Sequence, residues 1–146
     1  IGGSVYLLGA KPGVADKAAK KLTEKLPCLR IVGTHHGYFD KDEEIISDIS
    51  EKKPDLLIVC LGSPRQEIWA HKNLERLAGI GAIICLGGAL DVWSGNVGRA
   101  PKLFIKMRLE WLWRMLREPK RIKELPKMIR FKYITRKIRQ KADIIK

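Results

Sequence analysis

The sequence predicts an α/β fold, and two observations support this class. Short apolar runs alternate with segments of helical period from residue 4 to residue 86, as expected when strands and helices succeed one another. The run at residues 55–61 is almost wholly apolar, which is typical of a parallel strand buried on both faces. We therefore expect a Rossmann-like parallel sheet with flanking helices in residues 1–100, followed by a basic helical appendage in residues 101–146.

The individual elements follow from the same periodicity. The expected strands are short apolar segments that end in Gly or in polar residues, at residues 4–8, 29–32, 55–61 and 82–86. The expected helices repeat apolar residues at intervals of three and four, at residues 14–25, 41–52, 64–77 and 101–117. Residues 33–39 are expected to form a loop and residues 87–95 a long turn-rich stretch, while Pro119 separates the last helix from a second basic helical stretch.

Charge is placed very unevenly along the chain. Residues 1–98 hold 12 basic and 12 acidic residues, whereas residues 99–146 hold 17 basic and 4 acidic ones, so the whole net charge of +13 lies in the last third. A neutral body with a basic end indicates a polyanionic partner, which is nucleic acid, anionic lipid or phosphate groups.

The three cysteines and the hydropathy exclude several classes of protein. Cys28, Cys60 and Cys85 lie in or beside apolar runs without CxxC spacing, which predicts buried thiols of a reducing compartment and neither disulfides nor zinc. No apolar stretch approaches the roughly 18 residues that span a bilayer. Because the chain opens on a strand-like segment without an initiator Met, we expect it to be a carboxy-terminal piece of a longer protein.

Four turns are candidate ligand sites because they follow predicted strands, at residues 9–13, 34–38, 62–67 and 87–91. In an open parallel sheet, ligands bind outside the carboxyl ends of the strands. The first turn lacks the full GxGxxG pattern, so a phosphate cradle and an ordinary turn both stay open. His35 and His36 suit acid–base chemistry or metal binding, but they have no third ligand at a recognisable spacing, so a structural or sugar-contacting role is equally open.

The stretch LGSPRQEIWAHK at residues 61–72 is more informative. Pro64 and Glu67 have a capping explanation at the start of a helix, and Trp69 suits the core behind the turn. Gln66 is not covered by capping, and its amide offers a donor and an acceptor to a uracil edge or a sugar hydroxyl. Asp91 is either a hydrogen-bonding or catalytic group or a simple turn residue.

Arginines of the last third form a second candidate group. Arg114, Arg117 and Arg121 follow steps of three and four residues, so their guanidinium forks suit a diphosphate. The alternative for each of them is a solvated helix face.

Four segments in this order resemble the WecG/TagA/CpsF glycosyltransferases: GTHHGYF, PDLLIVCLGSPRQEIW, GGALDVWSGNVGRAP and LEWLWRMLREPKRI. The resemblance implies a bacterial enzyme, peripheral on the cytoplasmic face of the cell membrane, that moves N-acetylmannosamine from a UDP-sugar donor to GlcNAc-diphospho-undecaprenol with inversion. In the TagA-like branch the reaction serves wall teichoic acid linkage-unit synthesis. Neither a metal nor another cofactor is implied. The basic tail, with Trp111 and Trp113, is expected to lie on an anionic membrane surface.

The resemblance also assigns candidate residues. Arg114, Arg117 and Arg121 are expected to stabilise the diphosphates as catalytic groups. The general base is expected outside this chain, in the half-domain that family members carry before the position of Ile1, so Asp91 is expected to shape the pocket. The expected substrate-binding residues are Thr34, His36, Gly37, Tyr38, Gly62, Pro64, Gln66, Glu67, Gly87, Gly88, Asp91 and Arg99.

Alternatives remain at this stage. One is a UDP-N-acetylmannosamine-uronate transferase of a related surface polysaccharide pathway, and another is a non-catalytic basic module that binds nucleotides or nucleic acid. Because the chain has no recognised helix-turn-helix or RNA-binding motif, nucleic acid is not the expected partner. A homo-oligomer is left open.

Overall fold

A computed structural model describes residues 3–98, 105–107, 109 and 113 of the chain. The chain divides into two units, Ile1–Gly98 and Arg99–Lys146, and the fold described below is that of the first. Most of the predicted helix at residues 101–117 and the whole basic stretch after Pro119 lie outside the described residues.

The described residues of the first unit form four strands, which are β1 (Ser4–Gly9), β2 (Arg30–His35), β3 (Leu56–Cys60) and β4 (Ala82–Cys85). They form one sheet in the order β2-β1-β3-β4, and every neighbouring pair is parallel. The helices are α1 (Val14–Lys25), α2 (Glu43–Lys52), α3 (Arg65–Lys72) and α4 (Ala89–Trp93), with a 3-10 turn at Glu75–Leu77. The predicted α/β class with a Rossmann-like parallel sheet is confirmed.

The two faces of the sheet bury two different sets of side chains, because successive strand residues point to opposite faces. On one face, Tyr6 and Leu8 of β1 belong to a cluster with residues of α2 and with Trp69 of α3. On the other face, Val5 and Leu7 belong to a cluster with Val14 of α1 and with Leu90 of α4. The sheet is thus the middle layer between α2 and α3 on one side and α1 and α4 on the other.

Strand order places a topological switch point between β1 and β3. The connection from β1 leads through α1 to β2, whereas the connection from β3 leads through α3 to β4 on the opposite side of the sheet. The turns after β1 and β3 therefore diverge at their carboxyl ends, and a crevice at such a point is where open α/β sheets bind ligands.

Three local expectations were wrong at their boundaries. Strand β2 runs to His35 rather than residue 32, because Thr34 and His35 pair with Leu7 and Leu8 of β1. The helix predicted at 64–77 ends at Lys72, where the Asn73 side chain donates a hydrogen bond of 3.0 Å to the Trp69 carbonyl and so competes with the helical backbone pattern.

The third boundary lies after β4, where the stretch predicted as turn-rich contains the short helix α4. Leu90 of this helix is fully buried, and burial of a leucine side chain contributes about 1.5–3 kcal/mol. This apolar anchor against the sheet accounts for the helix.

The cysteines are partly as predicted. Cys60 is buried and Cys85 is half-buried, whereas Cys28 is exposed. The prediction of a buried thiol was wrong for Cys28 because this residue lies in the turn between α1 and β2 rather than in either core cluster.

Candidate functional site

The four predicted ligand turns lie at one edge of the sheet, because each begins at the carboxyl end of a parallel strand. Hydrogen bonds join them in pairs across neighbouring strands. The Ala10 amide donates to the Cys60 carbonyl at 3.2 Å, and the Gly37 amide donates to the Ala10 carbonyl at 2.8 Å. The segments after β1, β2 and β3 therefore meet at the switch point, which the sequence predicted only as a shared edge.

Gly37 closes this junction tightly. It is buried, and a Cβ added there would lie 2.9 Å from Leu61 Cδ2 and 3.2 Å from the Gly9 Cα. The absence of a side chain lets the loop after β2 approach the turn after β1. Gly37 thus shapes the site through its backbone, since it has no side chain to contribute.

Gln66 joins the turn after β3 to the turn after β4. The side chain is only 4% exposed, its Oε1 accepts a hydrogen bond of 2.9 Å from the Gly87 amide, and its Nε2 donates to Glu67 Oε1 at 2.8 Å. The hydrogen bond from Gln66 lowers the pKa of the exposed Glu67 carboxyl. The side chain therefore points along the carboxyl edge toward Gly87, and it fixes the relative position of the two turns.

Thr34 and the histidines lie at the end of β2 and use much of their hydrogen-bonding capacity locally. The Thr34 hydroxyl donates to Asp16 in the first turn of α1. The His36 Nδ1 accepts a hydrogen bond of 3.2 Å from the Tyr38 amide, and His35 Nδ1 lies 2.8 Å from the His36 carbonyl oxygen. Tyr38 projects into solvent with 63% of its surface exposed, which leaves its ring accessible.

An aromatic group braces the loop after β2 against α3. The Phe39 ring makes edge contacts with His35 and Trp69, at centroid distances of 5.9 and 6.3 Å. Trp69 is buried as predicted, and its Nε1 donates to Asp42 Oδ1 at 2.9 Å. The Arg65 guanidinium carbon lies 5.3 Å from the Phe39 centroid, within the range of a cation–π contact.

The turn after β4 contains the remaining described candidates. Gly87 receives the Gln66 contact, Gly88 precedes the first residue of α4, and Asp91 lies in the first turn of that helix. The Asp91 carbonyl accepts hydrogen bonds of 3.0 Å from the Val97 amide and from the Ser94 hydroxyl. Asp91 therefore belongs to a helix and not to the strand-end turn that its sequence context suggested.

Gly62 and Pro64 form the turn between β3 and α3, where the Gln66 amide donates to the Gly62 carbonyl at 2.9 Å.

The four candidate arginines, Arg99, Arg114, Arg117 and Arg121, lie outside the described residues. Asp16 and Phe39 lie at the site although neither was predicted as a site residue. Arg65 lies in the predicted ligand turn at residues 62–67, but no role was assigned to it. Each of the three follows a predicted strand and carries a charge or an aromatic ring, and this position was the signal that the sequence offered.

Within the described residues, no group of three His, Cys, Asp or Glu side chains is arranged to hold a metal ion. None of the helices in this part of the chain is long and apolar enough to cross a membrane.

The chain matches a known protein family along most of its length. A model of the glycosyl transferase WecG/TagA/CpsF family matches residues 2–143, which is nearly the whole chain. The chain belongs to the WecG/TagA/CpsF family. The resemblance expected from the four sequence segments is confirmed.

Curated relatives in the WecG/TagA/CpsF family share about a third of the sequence. An N-acetylglucosaminyldiphosphoundecaprenol N-acetyl-beta-D-mannosaminyltransferase of Bacillus subtilis is 36% identical over 126 residues, which are 84% of this chain and 49% of the relative. Proteins of the same name from Bacillus spizizenii and Staphylococcus aureus are 35% and 37% identical, over 86% and 94% of this chain and 49% and 54% of the relatives. The chain therefore spans about half the length of the curated relatives it matches.

Proposed function

We propose that this chain binds the UDP-sugar of an inverting N-acetylmannosaminyltransferase whose acceptor is GlcNAc-diphospho-undecaprenol. Family membership and the names of the relatives support the reaction. The single structural observation that carries the proposal is the Gln66 bridge to Gly87 at the carboxyl edge. This buried polar side chain holds two turns in fixed positions beside the topological switch point. A nucleotide-sugar pocket needs such a wall, one that is already in place before the ligand binds.

The turns at the carboxyl edge of the sheet line the proposed pocket. The turns that contain Gly37 and Gly62 offer backbone groups to the ligand at close range, and Gly87 and Gly88 do the same on the other side of Gln66. Gln66 itself keeps a second acceptor lone pair and a second N–H, which we assign to the uracil edge or to a sugar hydroxyl. Thr34, His36, Tyr38, Pro64, Glu67 and Asp91 complete the proposed wall.

The proposed reaction breaks the bond between the anomeric carbon and the UDP oxygen while the acceptor hydroxyl oxygen bonds to that carbon from the opposite side. A base takes the hydroxyl proton, and negative charge develops on the departing diphosphate. Cations placed at that diphosphate lower the barrier, and we assign this role to Arg114, Arg117 and Arg121, with Arg99 in the binding wall. We assign the general base to a residue outside this chain.

The proposed lipid acceptor determines where in the cell the protein is expected to act. A polyprenyl diphosphate lies in the membrane, so we propose that the protein acts on the cytoplasmic face of the bacterial membrane, in wall teichoic acid linkage-unit synthesis. The excess of basic residues after residue 98 supports a peripheral contact with anionic lipid.

Titration of the chain with UDP tests the proposal. We expect UDP, and not ADP, to raise the free energy of unfolding, by about 2.7 kcal/mol at 100 times the dissociation constant. Equal stabilisation by both nucleotides, or by neither, would overturn the assignment of a uridine site. Transfer of labelled N-acetylmannosamine from its UDP donor to an acceptor analogue tests the reaction, and turnover by this chain alone would contradict the placement of the base outside it.

A further inference from the structure

Arg65 is a charged residue of the LGSPRQEIWAHK stretch to which the proposed pocket gives no role. It is the first residue of α3 and therefore lies at the carboxyl edge of the sheet, next to the turn that contains Gly62. The side chain is exposed, so a ligand at this edge can reach it.

The Arg65 side chain is held in place by a braced aromatic ring. Its guanidinium carbon lies 5.3 Å from the Phe39 centroid, and Phe39 is in turn packed between His35 and Trp69. Trp69 is buried and hydrogen-bonded to Asp42, so the ring beneath Arg65 rests on the core. This platform restricts the arginine side chain before any ligand binds, which lowers the entropic cost of using it.

The charge of Arg65 has no anionic partner in the described part of the chain. The two ion pairs found there join Lys52 to Asp48 and Lys72 to Asp42. Glu67, the nearest acidic residue along the sequence, accepts its hydrogen bond from Gln66 instead. The N–H groups of Arg65 make no hydrogen bond to any described residue, so a full guanidinium fork is left for an anion.

We propose that Arg65, stacked on Phe39, binds the diphosphate group of a substrate at the carboxyl edge. The guanidinium fork matches two oxygens of a diphosphate, and the aromatic platform leaves its N–H edge turned to the ligand. This inference rests on the proposed function, because that function supplies two diphosphates, one in the UDP donor and one in the polyprenyl acceptor.

Binding measurements on the whole chain test the proposal, with UDP, uridine and farnesyl diphosphate as probes. In Arg65→Gln we expect the affinity for at least one diphosphate to fall about tenfold or more, as for a lost charge-assisted hydrogen bond. The uridine affinity should stay the same. Arg65→Lys, which keeps the charge without the fork, should fall between wild type and Arg65→Gln, and Phe39→Leu should weaken the same probe because the platform is lost.

Arg30→Gln is the matched control. Arg30 is an exposed arginine and the first residue of β2. It therefore lies at the amino edge of the sheet, away from the carboxyl edge, so its removal should change no affinity. Loss of UDP affinity alone assigns Arg65 to the donor, and loss of farnesyl diphosphate affinity alone assigns it to the acceptor.

Failure of this inference and failure of the proposed function give different results. UDP binding that is unchanged in Arg65→Gln, together with unchanged farnesyl diphosphate binding, overturns the role of Arg65 and leaves the uridine site standing. If the chain does not bind UDP but binds farnesyl diphosphate in a way that depends on Arg65, the result supports the diphosphate-binding role of Arg65 and overturns the proposed UDP-sugar site. Equal losses for uridine and UDP would show a structural role only, and a chain that binds none of the probes would overturn both proposals.

Discussion

Gly9 at the end of β1 illustrates how closely the backbones approach at the carboxyl edge. Its φ is +137°, and a Cβ there would overlap the backbone carbonyl of Cys60 on the neighbouring strand. We expect Gly9→Ala to lower the free energy of unfolding by about 2 kcal/mol or more, since strained backbone and a rigid clash add together. Urea denaturation measures the change.

Gly79→Ala is the control for this prediction. Gly79 has no atom within 4 Å of an added Cβ, so this substitution should be close to neutral. If the two alanine variants were equally stable, the close approach of Gly9 to Cys60 would be refuted.

Gln66 gives a second prediction for a single residue. Gln66→Met keeps the size of the side chain but leaves the Gly87 amide without the acceptor that it has at 2.9 Å. We expect a loss of about 1–3 kcal/mol in the free energy of unfolding. We also expect faster hydrogen exchange at the Gly87 amide, measured by NMR.

The control for the Gln66 bridge is Glu67→Gln. This exposed residue would still offer an oxygen to Gln66 Nε2, so exchange at Gly87 should stay slow. Slow exchange at Gly87 in Gln66→Met as well would mean that the bridge does not hold the turn after β4.

At the scale of elements, Asp42 connects the start of α2 to α3. Partial burial raises the pKa of Asp42, but hydrogen bonds from Trp69, Lys72 and Asn73 outweigh this effect, so the pKa lies below its ordinary value. Lys72 is 71% exposed and contributes little, so the bonds from Trp69 and Asn73 carry the connection.

The lowered pKa of Asp42 predicts how stability depends on pH. A carboxyl group with a lower pKa in the folded state stabilises the fold above its unfolded pKa of about 3.9, and this stability is lost as the pH falls through the folded pKa. We expect Asp42→Asn to cost about 1–3 kcal/mol near pH 7 and progressively less in acid. Denaturant titrations of both proteins between neutral and strongly acidic pH measure the difference.

Asp40→Asn serves as the comparison, because Asp40 is exposed and makes no hydrogen bond in the described part of the chain. The free energy of unfolding of Asp40→Asn should equal that of the wild type at every pH. A cost of Asp42→Asn that stays constant into strong acid would show that the ionised carboxylate is not what joins α2 to α3.

The elements also show how far sequence reasoning reaches in this chain. The runs at β1 and β3 were found because strands buried on both faces must be apolar along their whole length. The end of β2 was missed because Thr34 and His35 are polar, and only pairing with β1 makes them part of a strand. Helix α4 was missed because its five residues are too short for a clear period.

At the candidate site, too, the local features could be predicted from the sequence, whereas the features that depend on the assembled fold could not. Turns that follow strands could be placed at one edge from the sequence, since parallel strands bring their carboxyl ends together. The partners of individual side chains could not. Thr34 meets Asp16, and Gln66 meets Gly87, through contacts 18 and 21 residues apart that exist only once the strand order is fixed.

At the scale of the whole molecule, the separation of charge predicts where the chain binds. Residues 119–146 alone hold 11 basic and 2 acidic residues, while residues 1–98 are neutral. Each basic residue near an anionic surface contributes about 1 kcal/mol. We therefore expect the chain to bind vesicles that contain phosphatidylglycerol and not to bind vesicles of phosphatidylcholine. The bound chain should be released at an ionic strength of roughly 1 M, where the Debye length falls to about 3 Å.

A variant that ends at residue 122, and therefore keeps Arg121, should lose most of this binding in a flotation assay. It keeps the neutral unit with β1 to β4, so its stabilisation by UDP provides a check that the proposed nucleotide-binding part is intact. Binding of the shortened chain that equals wild type would place the membrane contact elsewhere, and binding that resists salt would point to apolar insertion. Because the proposed acceptor is a lipid, loss of vesicle binding with UDP binding unchanged would support a division of the two proposed substrates between two parts of the chain. The sheet edge would bind the donor, and the basic segment would bind the surface that carries the acceptor.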